Sequence, residues 1–265
     1  MNLGRVLIIA GSDSGGGAGI QADIKTVTAL GGYAATAITA VTVQNTLGVT
    51  GVHAVPPAVV EAQARAVLDD IGADAVKTGM LGDTEMVERV AAILDTVRVP
   101  VVVDPVMVAK GGASLLSPGA VDAVRTLMIP HAAVLTPNAP EAEALSGLPV
   151  HTTDDLRRAG ERLLALGAKA VLMKGGHVEG DTVVDVLMTP DGETSFEGER
   201  LDTRHTHGTG CTLASAVAAG LAQGLSLTEA VARAWAYVHE AMRQAPGFGA
   251  GHGPLDHGWP LRGKA

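Results

Sequence analysis

Residues 5–30, RVLIIAGSDSGGGAGIQADIKTVTAL, hold the unit from which the rest of the chain is built. Positions 5–10 form a short apolar run without polar alternation, as a strand covered on both faces reads. A glycine-rich turn, Gly11 to Gly19, follows, and 18–30 then carries a helical pattern. Further short apolar runs predict strands over 35–43, 73–78, 99–104, 132–136, 168–174 and 182–188. Ala/Leu/Glu-rich segments predict helices over 58–70, 85–97, 118–128, 154–165, 212–223 and 228–243. Thr153-Asp154-Asp155 reads as a helix N-cap, and Ser117-Pro118 as a cap with proline at the first helical position. Strand and helix in alternation imply an α/β fold of three layers, a central mostly parallel sheet flanked by helices.

The 265 residues, 47% of them hydrophobic, suit one large domain with a continuous core. No repeat or long linker divides residues 1–265. The end, 246–265, is rich in Gly, Pro and His and is expected to be irregular surface chain. Two Trp, two Tyr and two Phe leave the core almost wholly aliphatic. A net charge of −9 without any cluster of Lys and Arg argues against a nucleic-acid partner. No apolar run reaches bilayer length, and no leader pattern is visible, so no membrane partner is expected. A single cysteine, Cys211, excludes an intramolecular disulfide, and a cytoplasmic address is the default expectation.

In open parallel sheets ligands bind beyond the carboxyl ends of the strands. The polar and glycine-rich segments fall there: Gly11–Gly19, Thr42-Val43-Gln44-Asn45, Lys77-Thr78-Gly79-Met80, Asp104-Pro105, Thr136-Pro137-Asn138 and Lys174-Gly175-Gly176. Neither G-x-G-x-x-G nor a Walker sequence occurs, which removes most of the case for ordinary dinucleotide or P-loop chemistry. Gly11–Gly19 alone reads equally well as a flexible turn.

Gly208-Thr209-Gly210-Cys211 is more specific. It opens an Ala-rich helix, and two glycines let successive N–H groups of 208–211 face one point, an anion site backed by the helix dipole. Cys211 at such a helix start is expected to have a lowered thiol pKa and to act as a proton-abstracting thiolate. Its competing reading is a small buried hydrophobe. His205, His207 and Cys211 give little support for zinc, since no second cysteine completes a set. Asn138 and Glu141 stand one turn apart at a helix start, where the carboxylate either satisfies the helix or holds Mg²⁺ near a triphosphate. Asp104 has the same two readings. Lys174, after an apolar strand, suits phosphate charge.

Seven blocks in order, GSDSGGGAGIQADIK (11–25), TAVTVQNT (39–46), VKTGML (76–81), DPVMVAKGG (104–112), LTPNAPEAE (135–143), VLMKGGH (171–177) and HTHGTGCTLASA (205–216), resemble the ribokinase-like superfamily. Within it the chain is similar to the hydroxymethylpyrimidine/phosphomethylpyrimidine kinases of thiamine biosynthesis. The resemblance implies a three-layer ribokinase-like fold and two ATP-dependent phosphorylations of 4-amino-5-hydroxymethyl-2-methylpyrimidine, to the monophosphate and then the diphosphate, with Mg²⁺. It implies Gln44 as reader of the pyrimidine edge, assisted by Asp23, with Val43 and Met80 near the ring. It implies Asp104 and Glu141 at the metal and Asn138, Lys174, Thr209 and Gly208 at the phosphates. Gly208, Gly210 and Cys211 become the anion hole and base, with Lys174 beside them. Cys211, where many superfamily members carry Asp, points to the pyrimidine and pyridoxal kinase branch. The flap 109–114 lacks the Asp that relatives carry near 113, so its cover over ATP is left open. A pyridoxal kinase, a nucleotide-dependent dehydratase of a damaged nicotinamide cofactor and a non-catalytic ligand-binding regulator are the alternatives, and a homodimer is one option for assembly.

Overall fold

The computed structural model describes residues 3–108, 112 and 115–262. The flap at 109–114 therefore lies outside the described residues, apart from Gly112.

β1 (Arg5–Ser12) runs into α1 (Gly19–Ala29), β2 (Tyr33–Asn45), β3 (Gly48–Ala54), α2 (Pro57–Asp70), β4 (Ala75–Thr78), α3 (Thr84–Leu94) and β5 (Val101–Val103). α4 (Pro118–Ala123) continues as a π-helical turn, Val124–Met128, into β6 (Val134–Leu135), α5 (Ala139–Ser146), α6 (Thr153–Ala165) and β7 (Val171–Met173). β8 (Thr182–Thr189), β9 (Gly192–Glu199), α7 (Thr209–Ala222) and α8 (Leu227–Arg243) complete the order. One sheet of nine strands runs β3-β2-β1-β4-β5-β6-β7-β8-β9. The six central strands, β2 to β7, pair in parallel, while β3 at one edge and β8 and β9 at the other are antiparallel.

Successive residues of a strand point to opposite faces, and in β1 both faces are buried. Leu7 and Ile9 pack with Val60, Val87, Leu135 and Leu156, under α2 to α6. Val6, Ile8 and Ala10 pack with Val27, Val217 and Val231, under α1, α7 and α8. The unbroken apolar character of the central strands follows from this double cover.

Two strands escape the apolar-run reading. β3 (GVTGVHA) and β9 (GETSFEGE) are largely exposed edge strands. Helix starts also shift by a few residues. The cap expected at Thr153 is Thr152, whose Oγ1 accepts from the Asp155 N–H while the Asp155 carboxylate accepts from the Thr152 N–H. Ser117 does precede a first-turn proline but makes no side-chain cap bond. α7 starts at Thr209 rather than 212, so Gly210 and Cys211 belong to its first turn.

The segment after 246 is irregular but not the surface appendage expected. Leu255 and His257 are buried. The His207 N–H donates to the Gly253 carbonyl, and Thr212 Oγ1 lies 2.9 Å from His257 Nε2. No helix among the described residues is long and apolar enough to cross a membrane.

Candidate active site

The first turn of α7 is built on a close approach that only glycine permits. Gly208 caps the helix at φ 85°, and a Cβ there would overlap the Gly17 carbonyl oxygen. The turn thus docks on the Gly11–Gly19 loop, which is not a free turn. Asp13, buried, organises it: its carboxylate accepts from the N–H groups of Gly15 (2.7 Å), Gly17 (3.0 Å) and Ala18 (2.8 Å). His207 Nε2 reaches the same carboxylate at 2.8 Å, tying the residue before Gly208 to the loop. Burial opposes the charge on Asp13, but His207 and the amides hold the carboxyl below its ordinary range.

Across the strand ends lies a compact charge cluster. Lys174, just past β7, donates to Asp104 Oδ1 at 3.1 Å and lies 3.8 Å from Glu141 Oε2. Thr136 Oγ1 donates to the same Asp104 oxygen at 3.1 Å. A Cβ at Gly210 would stand 3.1 Å from Lys174 Nζ, so the α7 turn and the cluster meet directly. Asn138 caps α5: Oδ1 accepts from the Glu141 N–H, and Glu141 Oε2 accepts from the Asn138 N–H. The helix reading of this pair therefore holds, and it holds Glu141 in place beside Lys174. Burial, with Asp104, pushes Glu141 up to about 7 against the pull of Lys174. Burial opposes the Lys174 ammonium, yet Asp104 and Glu141 keep it above its ordinary range.

Mg²⁺ fits this corner. Asp104 Oδ2 is buried and has no hydrogen-bond partner, an orphaned anionic oxygen beside a second carboxylate. Hard cations with one or two carboxylates and phosphate oxygens take such a donor set. Asp104 and Glu141 are the residues that would hold the ion.

Two expectations are corrected. Cys211 is not an activated thiolate: burial, with the nearby Asp23 and Asp104 carboxylates, pushes its thiol up to about 12 against the pull of Lys77 and the Gly19 N–H. The helix dipole at this turn favours a thiolate, and desolvation outweighs it. Asp23 does not read the pyrimidine edge directly. It has no exposed surface, and its oxygens are taken by Lys77 Nζ (3.0 and 2.9 Å) and Ser215 Oγ (2.6 Å).

The other residues expected at the substrate lie at the ends of β2 and β4. Gln44, half-buried at the end of β2, accepts from Thr42 Oγ1 at 3.1 Å and reaches to within 3.4 Å of His207 Nε2. Met80 packs where a Gly11 side chain would stand. Val43 sits on the β2–β3 hairpin, 63% exposed. Sequence reasoning gave no role to Asp13, Lys77, Thr136 or Asp185. A charged residue inside a strand expected to be covered on both faces, as Lys77 is, was the available signal.

A three-layer parallel sheet with an anion turn, a cation and carboxylates converging at its strand ends is the arrangement of a ribokinase-like small-molecule kinase, a phosphotransferase. The family described as phosphomethylpyrimidine kinase matches residues 13–256, and the chain belongs to it. It is 53% identical over 256 residues to the hydroxymethylpyrimidine/phosphomethylpyrimidine kinase of Streptomyces coelicolor, covering 97% of this chain and 95% of that one. It is 52% identical over 255 residues to the thiamine biosynthesis bifunctional protein ThiED of Geobacter sulfurreducens, spanning 96% of this chain but only 52% of that protein. A Bacillus subtilis pyridoxal kinase, solved as an ADP complex, superposes with a TM-score of 0.91 at 38% identity, over 99% of this chain and 100% of that one. The activity is nucleotide-dependent.

Proposed function

We propose that this chain phosphorylates 4-amino-5-hydroxymethyl-2-methylpyrimidine with ATP, first to the monophosphate and then to the diphosphate, for thiamine diphosphate synthesis. The observation that carries this reading is the convergence of Lys174, Asp104, Glu141 and the first turn of α7 on one point at the strand ends. Phosphoryl transfer asks mainly for positioning and charge stabilisation, and this set supplies both.

Gln44 holds the edge of the aminopyrimidine, and Met80 and Val43 border the ring. The Thr209 N–H donates to the Thr206 carbonyl, while the next N–H groups of α7, at Gly210 and Cys211, lack acceptors within the helix by geometry and face the transferring phosphoryl group. Lys174 neutralises its developing charge, and Asn138 and Glu141 border the phosphates. Mg²⁺ supplies further charge neutralisation between phosphates when bound at Asp104 and Glu141. Cys211 works as a protonated thiol in the free protein. It orients the acceptor hydroxyl, whose proton leaves late, as a loose transition state permits. We place the protein in the cytoplasm, where a lone thiol stays reduced.

ATP consumption measured side by side with hydroxymethylpyrimidine, its monophosphate and pyridoxal tests the reading. Both pyrimidines should exceed pyridoxal in kcat/KM by at least about tenfold. A preference for pyridoxal would replace the assignment with a pyridoxal kinase, the reading that the 0.91 TM-score favours second. Dehydration of a hydrated nicotinamide cofactor, with no phosphorylated alcohol formed, would overturn both.

A further inference from the structure

Among the described residues, the largest side chain with no solvent exposure is a lysine. Lys77 lies on β4 next to Val76, which packs under α2 to α6, so Lys77 points to the opposite face, under α1 and α7. There Asp23 of α1 accepts from Nζ through both oxygens, and Ser215 of α7 donates to the same carboxylate at 2.6 Å. Ser215 follows Cys211 by four residues, so the two share one face of α7. The Lys77–Asp23–Ser215 chain therefore ends one helical turn from the thiol. Gly79, whose Cβ would stand 3.0 Å from Lys77 Nζ, leaves room for the ammonium at the strand end.

Stability gives no reason for this lysine. A buried ion pair recovers its desolvation cost poorly, and well-packed apolar residues often serve as well or better. The position of the charge gives a better one. The charged groups facing Cys211 are Lys77 from β4, Asp23 from α1, Asp104 past β5 and Lys174 past β7. The two carboxylates oppose a negative sulfur, and Lys77 is the cation with the largest effect in its favour.

We propose that Lys77 is a positioning residue of the transfer step: its ammonium, fixed by Asp23 and Ser215 beneath the first turn of α7, favours negative charge at the position of Cys211 and so steadies the acceptor oxygen there and the transferring phosphoryl group, whose oxygens take up the hydroxyl proton late. The catalytic half of this statement rests on the kinase reading above; the charge effect on the thiol does not.

Cys211 is the only cysteine in the chain, so iodoacetamide alkylation followed by intact mass reports this one thiol. The measurement is made on the whole protein at pH 7.5 with EDTA and without nucleotide. Asp23→Asn keeps an acceptor oxygen for Lys77 and an NH₂ that can donate to Ser215 Oγ, but it removes the negative charge that offsets the ammonium, and alkylation should accelerate by about tenfold. Lys77→Met removes the cation, and alkylation should slow by about tenfold while kcat with hydroxymethylpyrimidine falls by at least as much and KM for ATP changes little. A purely structural pair would move both variants in the same direction. Unchanged or slower alkylation in Asp23→Asn overturns the proposal even if Lys77→Met fails to fold. Wild-type alkylation and kcat in Lys77→Met overturn it as well. If no pyrimidine is phosphorylated at all, the kinase reading fails while the two alkylation ratios still decide the charge effect.

Discussion

Cys211 and Asp185 each depart from ordinary chemistry because burial outweighs their partners. At Cys211 the sulfur is a thiol at neutral pH, so its worth lies in shape and hydrogen bonding rather than in base strength. Cys211→Ala should lower kcat by about 10²-fold or more, with ATP affinity largely retained; Cys211→Ser should keep more of the rate than Ala does. Steady-state kinetics on the two variants separate this from a thiolate mechanism, in which Ser would be as poor as Ala. Asp185 on β8 accepts from the N–H of Gly175, directly after Lys174, at 2.7 Å, and burial pushes its carboxyl from 3.8 up to about 6. Between those two values the native state holds a proton that the unfolded chain has released. Stability therefore falls as pH rises through that window, and the cost is complete by pH 7.5. Asp185→Asn keeps an acceptor for Gly175 and removes the ionisation. It should stabilise by about 1–3 kcal/mol at pH 7.5 and by almost nothing at pH 3.5, read from urea unfolding at both.

Among the elements, α7 joins the anion turn to the charge cluster, and the glycines at its start, Gly208 and Gly210, should respond in opposite ways. Gly208 has a left-handed φ of 85° and stands against the Gly17 carbonyl, so Gly208→Ala meets strain and overlap together and should lower Tm by several degrees or prevent folding. Gly210 is an ordinary helical position whose Cβ would stand 3.1 Å from the Nζ end of the long Lys174 side chain and 3.9 Å, an ordinary contact, from Asp104 Oδ2. Gly210→Ala should therefore keep or raise Tm, since alanine suits a helix better than glycine, while displaced Lys174 lowers kcat about 10-fold to 10²-fold. Thermal melts beside kinetics check the split. The sequence made the existence of α7 and its glycine turn legible, but it placed the helix start three residues late. Cys211 was legible at the helix start, whereas Thr209 and Gly210 read as the turn before it and belong to the helix. β3 and β9 were illegible for a plainer reason: as exposed edge strands they carry no apolar run to read.

At the scale of the molecule, the segment after 246 packs against the start of α7. His257 is buried against Thr212 of α7, and Tyr237 donates to its carbonyl at 2.7 Å. Burial, reinforced by Lys25 and His207, lowers its imidazole from 6.5 to about 4. Below pH 6.5 the unfolded chain takes up a proton that the native state refuses. This contribution is present above 6.5 and is lost as pH falls toward 4, by up to about 3 kcal/mol. Hydrogen-exchange protection factors at the start of α7, corrected for the intrinsic pH dependence of amide exchange, should fall on acidification across that range, and His257→Asn should flatten the dependence. An unchanged pH dependence in that variant would remove His257 as the cause.

Local pattern alone determined the alternation of strand and helix, the double cover of the central strands and the glycine turn before α7. Each of these depends on neighbours within a few residues, or on whether a run is apolar on both faces. The ordered motif blocks added the family. Which charges meet was settled by tertiary structure. Lys77 finds Asp23 and Ser215, Lys174 finds Asp104 and Glu141, and Cys211 finds two opposing carboxylates, because parallel strands and their helices bring residues 54, 70 and 192 positions apart together at one sheet edge. Electrostatics there depend on desolvation and on partners distant in sequence, and no local pattern encodes either.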